Sequence, residues 1–225
     1  MHKQKLDAFK GRLTTKQISA GINAANKNAQ RLLNDAKILL KHKKFASAVS
    51  LAVLSIEEAG KASILRGMAV AKTDKEISDC WRDYRTHTKK NVAWLLPEIV
   101  TNGARSLDDF KILFDINSEH PYLLDQIKQI GFYTDCLGNG HWSIPEEVID
   151  EALANMLVNI AQIMVKHREV SIEEIDLWVQ YMGPVWKTST EKMKEAISEW
   201  HRELVSRGLI SGDEDDMEKF ITTGI

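Results

Sequence analysis

From Ile18 onward the apolar residues Ile22, Ala25, Ala29, Leu32, Ala36 and Leu39 recur at alternating steps of four and three, which lays a single apolar stripe along a helix over 16–41. Beyond the polar break at Lys41 to Lys44, the residues Phe45, Val49, Ala52, Ile56 and Ala59 repeat the spacing. A second helix must follow, and the connection is so short that the two must run antiparallel. Such a pair forms the centre of a bundle, and the rest of the chain has to pack around it.

The remaining signals are helical as well. A third helix is expected over 74–96, ending before Pro97, because the residue preceding a proline is pushed out of the helical region. Asn102, Gly103 and Ser106 mark a loop, Asp108 to Phe114 reads as a short helix, and 117–122 and 134–143 read as ordered loops. Ser143 with Glu146, Ser171 with Glu174 and Thr188 with Glu191 fit the capping box, so helices are expected at about 145–168, 172–181 and 189–207, the last stopped by Gly208. The acidic stretch Asp213 to Glu218 reads as a solvated end. The fold class is all-α, with residues 1–170 as the bundle and 171–225 as a C-terminal helical extension packed on the same domain. A length of 225 residues with 44% hydrophobic content is enough to bury a self-sufficient core.

Cys80 and Cys136 have no metal-ligand or CxxC spacing, and no basic-then-apolar leader is seen, so a reducing cytoplasm is the expected compartment. The apolar run from Ala46 to Ile56 is interrupted by serines and closed by Glu57 and Glu58, well short of the roughly 20 residues of a membrane span.

The stretch WRDYRTHTKK (81–90) gathers Arg82, Arg85, Lys89 and Lys90 around His87 in a chain of formal net charge −2. An imidazole can take a proton from a ribose 2′-hydroxyl or give one to a leaving oxygen near neutral pH. A guanidinium stays charged and offers paired donors to phosphate oxygens. Arg82 and His87 are therefore candidate catalytic groups, Asp83 and Lys90 candidate supports, and Arg85 and Lys89 candidate RNA-backbone contacts. The competing reading is a solvated basic helix face. Five residues along a regular helix rotate by about 140°, so Arg82 and His87 meet only through a long side chain, a helix irregularity or a second protomer.

Glu57 and Glu58 stand in an otherwise apolar segment and could orient Arg82 or His87; alternatively they face solvent or pair with Lys61. A ferritin-like metal site needs Glu-x-x-His, which this chain lacks, so no metal is expected. No P-loop, HExxH, GxSxG or dinucleotide fingerprint is present, and no cofactor is expected. His42 reads as a surface residue. Trp142, beside His141 in a Gly-rich loop, reads as a loop anchor on the bundle, with base stacking as the alternative. The six tryptophans read as core and interface anchors.

Four pieces, NAQRLLNDAKILL (28–40), FASAVSLAVLSIEEAGKA (45–62), WRDYRTHTKK (81–90) and IKQIGFYTDCLGNGHWSIP (127–145), occur in an order that resembles the AbiV-type abortive infection proteins of bacteria, within the HEPN superfamily. The resemblance implies an anti-phage protein on an all-α HEPN bundle. It also implies an R-x4-6-H motif, here Arg82, Asp83 and His87, paired across a homodimer so that two copies line one RNA cleft. Where many HEPN toxins carry a tyrosine two residues past the histidine, this chain has Lys89, and its motif lies far from the C-terminus. The expected activity is a metal-independent endoribonuclease or RNA-directed toxin, either constitutive or latent until a phage-encoded activator releases it. The alternative is a non-catalytic helical module that blocks phage growth by binding a phage or host protein.

Overall fold

The computed structural model describes residues 7–102, 104–105, 108–109 and 119–223. The expected helical pair is α1 (Thr15–Lys41) and α2 (Phe45–Ala69), turned at Lys43, which adopts a φ of 59°. Thr14 and Gln17 close a capping box at the start of α1. Ala29, Leu33 and Ala36 of α1 pack with Val49, Ala52, Val53 and Ile56 of α2, and Ile18 and Ile22 with Leu65 and Met68 further along it. The Ser55 hydroxyl donates to the Ala29 carbonyl at 2.8 Å, which sets the register of the pair.

The continuous third helix is not observed. The chain divides into α3 (Asp74–Arg85), α4 (His87–Lys90) and α5 (Leu96–Thr101). The break falls at Thr86, whose backbone is extended and whose hydroxyl donates to the Arg82 carbonyl at 2.9 Å, a local bond that competes with helix continuation. Pro97 does not end a helix either. It sits in the first turn of α5, where its missing N–H costs nothing. Of the short helix expected from Asp108 to Phe114, only Asp108 and Asp109 are among the described residues.

Residues 117–122 are not all loop, because α6 (His120–Phe132) begins within them. The loop at 134–143 carries a two-stranded antiparallel hairpin, β1 (Asp135–Leu137) and β2 (His141–Ser143), turned by Gly138 and Gly140 at positive φ. Trp142 does not anchor it: the residue is 69% exposed.

The expected helix at 145–168 is two, α7 (Pro145–Val148) and α8 (Glu151–Met164), because Ile149 is extended and Asp150 caps α8 through the Leu153 amide. Ser143 forms no cap; its hydroxyl is buried without a hydrogen-bond partner. Ser171 does cap α9 (Ile172–Val185), which runs through Pro184. The cap of α10 (Thr190–Ser206) is Ser189, one residue after the expected Thr188, whose hydroxyl donates instead to the Val185 carbonyl. The acidic stretch is exposed as expected, yet it leads into α11 (Asp216–Thr222), held by Arg202 bonding Asp215 and Glu218.

Helix α2 is the hub: α1, α3, α4, α6, α8 and α9 all pack on it. Leu124 of α6 and Leu157, Val158 and Ala161 of α8 close the core over Val49, Val53 and Ile56. A helix covered on so many sides needs apolar residues all round. That makes a carboxylate on α2 conspicuous. No helix among the described residues is long and apolar enough to cross a membrane.

Candidate functional site

Glu57 lies on α2 with its side chain 3% exposed, a depth at which a carboxylate needs polar partners. Three side chains surround it. The break at Thr86 reorients the chain so that His87 leads α4, and His87 Nδ1 rests 2.7 Å from Glu57 Oε2. From the end of α4, Lys90 Nζ approaches the same oxygen at 3.6 Å. From α6, Lys128 Nζ donates to Glu57 Oε1 at 2.7 Å and to Asp125 at 2.6 Å.

Two glycines admit these partners. A Cβ on Gly60 would stand 2.0 Å from the Lys90 carbonyl oxygen, so only glycine lets the end of α4 lie against α2. A Cβ on Gly131 would stand 2.4 Å from the Ser50 hydroxyl, so the same device brings α6 close.

Both oxygens of Glu57 are thus engaged, one by an ammonium and one by an imidazole. An ionised carboxylate only accepts, so the hydrogen bond assigns the ring proton of neutral His87 to Nδ1 and leaves the lone pair on Nε2. The His87 side chain is 53% exposed, so the ring can meet a ligand while its base is held from inside. Burial lowers the pKa of Lys90, an effect opposed by Glu57 and reinforced by Lys61.

The other sequence candidates lie elsewhere. Arg82 is at the end of α3 with its side chain 68% exposed, and its ion pairs are with Asp79 at 2.8 Å and Asp83 at 3.7 Å, not with the His87–Glu57 group. The irregularity at Thr86 therefore brings His87 to Glu57 rather than to Arg82. Arg85 donates to the carbonyls of Phe9 at 2.6 Å and Trp81 at 3.3 Å and stacks over the Trp81 ring, tying the N-terminal segment to α3. Lys89 is exposed. Glu58 pairs with Lys61 at 2.5 Å, and Lys61 in turn lies over the Tyr84 ring.

Glu57, His87 and Asp125 could also ligate a cation, since their ligand atoms lie within 4.8 Å of one another. Lys128 already bonds both carboxylates, so a metal ion would have to displace its ammonium and tolerate Lys90 beside it. The donor set suits an internal cation better than a divalent one.

Sequence reasoning missed Lys128 and Asp125. The signal was present: Leu124, Lys128 and Gly131 recur at helical spacing and are all buried, which places a lysine on the inner stripe of α6.

Among known proteins, the AbiV family model (HEPN_AbiV) matches residues 17–166, a span that contains all five of these site side chains. No curated protein and no solved structure matches the chain.

Proposed function

The chain belongs to the AbiV family of the HEPN superfamily, and from that premise we propose that it is an anti-phage, metal-independent endoribonuclease in which His87 transfers the proton. The observation that carries this reading is the bond between buried Glu57 and the half-exposed ring of His87. A base held at one nitrogen by an interior carboxylate and open at the other is oriented for proton transfer.

In the proposed reaction the Nε2 lone pair of His87 takes the proton of a ribose 2′-hydroxyl, and the 2′-oxygen forms a bond to the adjacent phosphorus. The bond from phosphorus to the 5′-oxygen breaks, that oxygen takes up a proton from the imidazolium, and a cyclic phosphate end remains. Arg82 stabilises the charge on the phosphoryl oxygens. Within one chain it is engaged with Asp79 and Asp83, so in this reading it serves the His87 of a second copy in a homodimer, with Asp83 setting its direction. Arg85 and Lys89 contribute attraction for the RNA backbone, and Lys90 balances the charge of Glu57. Helices α9 to α11 serve as an extension of the same unit, and the protein acts in the cytoplasm without a cofactor.

The test is RNA cleavage in the presence of chelator, with analysis of the product ends. His87→Ala should slow cleavage by about 10²–10⁴ and parent products should carry cyclic phosphate; equal rates for parent and variant overturn the proposal. The separation of Arg82 from His87 within the chain favours a second reading, a non-catalytic module that binds a phage or host protein. In that case a chain with both residues replaced suppresses phage normally. A latent enzyme is recognised by cleavage that begins only when a phage-encoded activator is added.

A further inference from the structure

We infer that Lys128 is a positioning residue for His87, acting through Glu57: it holds one carboxylate oxygen so that the other is committed to the imidazole. This deepens the reading of His87 as the proton-transfer group and rests on it.

A carboxylate on a helix side chain can rotate, and in the interior it turns toward whatever donor is available. Here Oε1 is fixed at 2.7 Å from the Lys128 ammonium, which leaves Oε2 facing Nδ1 of His87 at 2.7 Å. Lys128 is itself anchored, because Asp125, one turn earlier on α6, takes a second ammonium proton at 2.6 Å. The close seat of Gly131 on Ser50 fixes the helix that carries both residues. Asp125, Lys128, Glu57 and His87 thus form one continuous chain of charge-assisted bonds from α6 through α2 to α4.

A lysine that merely neutralises a buried carboxylate would do no more than support stability. Lys128 does more, because its charge lies on the far side of the group that binds the ring. The ion-paired groups of this cluster are Glu57 and the Glu58–Lys61 pair from α2, Lys90 from the helix of His87, and Lys128 and Asp125 from α6, and α3, which also packs on α4, adds Arg82, Asp83 and Arg85. Lys128 offsets part of the Glu57 charge that faces the ring. Its removal should let the imidazolium persist to higher pH, while removal of the Asp125 charge should act in the opposite direction.

The experiment follows the ring nitrogens of ¹⁵N-histidine-labelled full-length protein by NMR across pH, with the His87 signals identified by their loss in His87→Ala. In the parent, the neutral ring should carry its proton on Nδ1. Lys128→Met should move the His87 transition upward, Lys128→Arg should keep it near the parent position, and Asp125→Asn should move it downward. Asp125→Asn keeps the lysine in place and so serves if Lys128→Met fails to fold. A His87 transition and tautomer unmoved by either Lys128→Met or Asp125→Asn in folded protein overturns the inference. These spectra need no RNA, so they stand apart from the cleavage assay. Coupled spectra without RNA cleavage sink the ribonuclease reading and leave the coupling, whereas cleavage with unmoved spectra does the reverse. If both hold, the acidic limb of the pH–rate profile in Lys128→Met moves upward with the ring.

Discussion

His87 Nδ1 lies 2.7 Å from Glu57 Oε2, between residues 30 positions apart in the chain. One partner is buried and the other half exposed, so the pair joins the interior of the bundle to its surface where α4 packs on α2. Its geometry depends on Gly60, Lys90 and Lys128 as much as on the two residues themselves.

Glu57 is the counter-charge of two buried ammonium groups, Lys90 and Lys128. Glu57→Ala should therefore destabilise the fold by about 3–5 kcal/mol, since it takes a counter-charge from buried Lys90 and leaves Lys128 with Asp125 alone. Urea denaturation should show a lowered midpoint with an unchanged slope. A loss below about 1 kcal/mol, the range of exposed pairs, would mean that the carboxylate is not the counter-ion described.

Gly60→Ala places a methyl group 2.0 Å from the Lys90 carbonyl oxygen, a backbone atom that cannot swing aside. The expected cost is about 1–3 kcal/mol, and the His87–Glu57 contact should be disturbed because α4 must move. Unchanged melting together with an unchanged His87 spectrum would contradict this close approach.

Lys90 releases its proton below the ordinary lysine value of 10.5 because it is buried. Between its folded value and 10.5 the unfolded chain holds more protons than the folded one, so stability should rise with pH in that window, by at most about 1.4 kcal/mol per unit. The difference in unfolding free energy between the parent and Lys90→Met, measured from about pH 8 to about pH 10, should carry this slope. A pH-independent difference would show that the amine is solvated.

Arg82→Ala removes an exposed side chain whose ion pairs are at the surface. Its stability should change by no more than about 0.5 kcal/mol, while RNA cleavage should fall by about 10²–10³ if its guanidinium serves the transition state. Parent-like cleavage by the folded variant would remove Arg82 from the proposed mechanism.

The helical pair was legible because its apolar spacing is a local property, repeated over many turns of α1 and α2. The boundaries of the third helix were not. Thr86 offers no composition signal strong enough to outweigh its neighbours, and Pro97 is compatible with either end of a helix. The hairpin at 135–143 was hidden in a stretch whose glycines mark a turn without saying what it joins. At the site, His87 and Glu57 were readable as candidates from their chemistry, whereas the spacing of Leu124, Lys128 and Gly131 shows that α6 buries a lysine but not which carboxylate it meets.

The amino-acid order alone determined the all-α class, the antiparallel hub and the residues with chemistry to offer. Periodicity records which face of a helix turns inward, and residue type records what that face could do. Which of those residues meet was decided only by tertiary packing. Gly60 and Gly131 let α4 and α6 approach α2, and that approach joins Lys128 to Glu57 across 71 positions while leaving Arg82 with its own helix. Such a contact depends on the fit of two helix surfaces, and no local pattern in the chain encodes it.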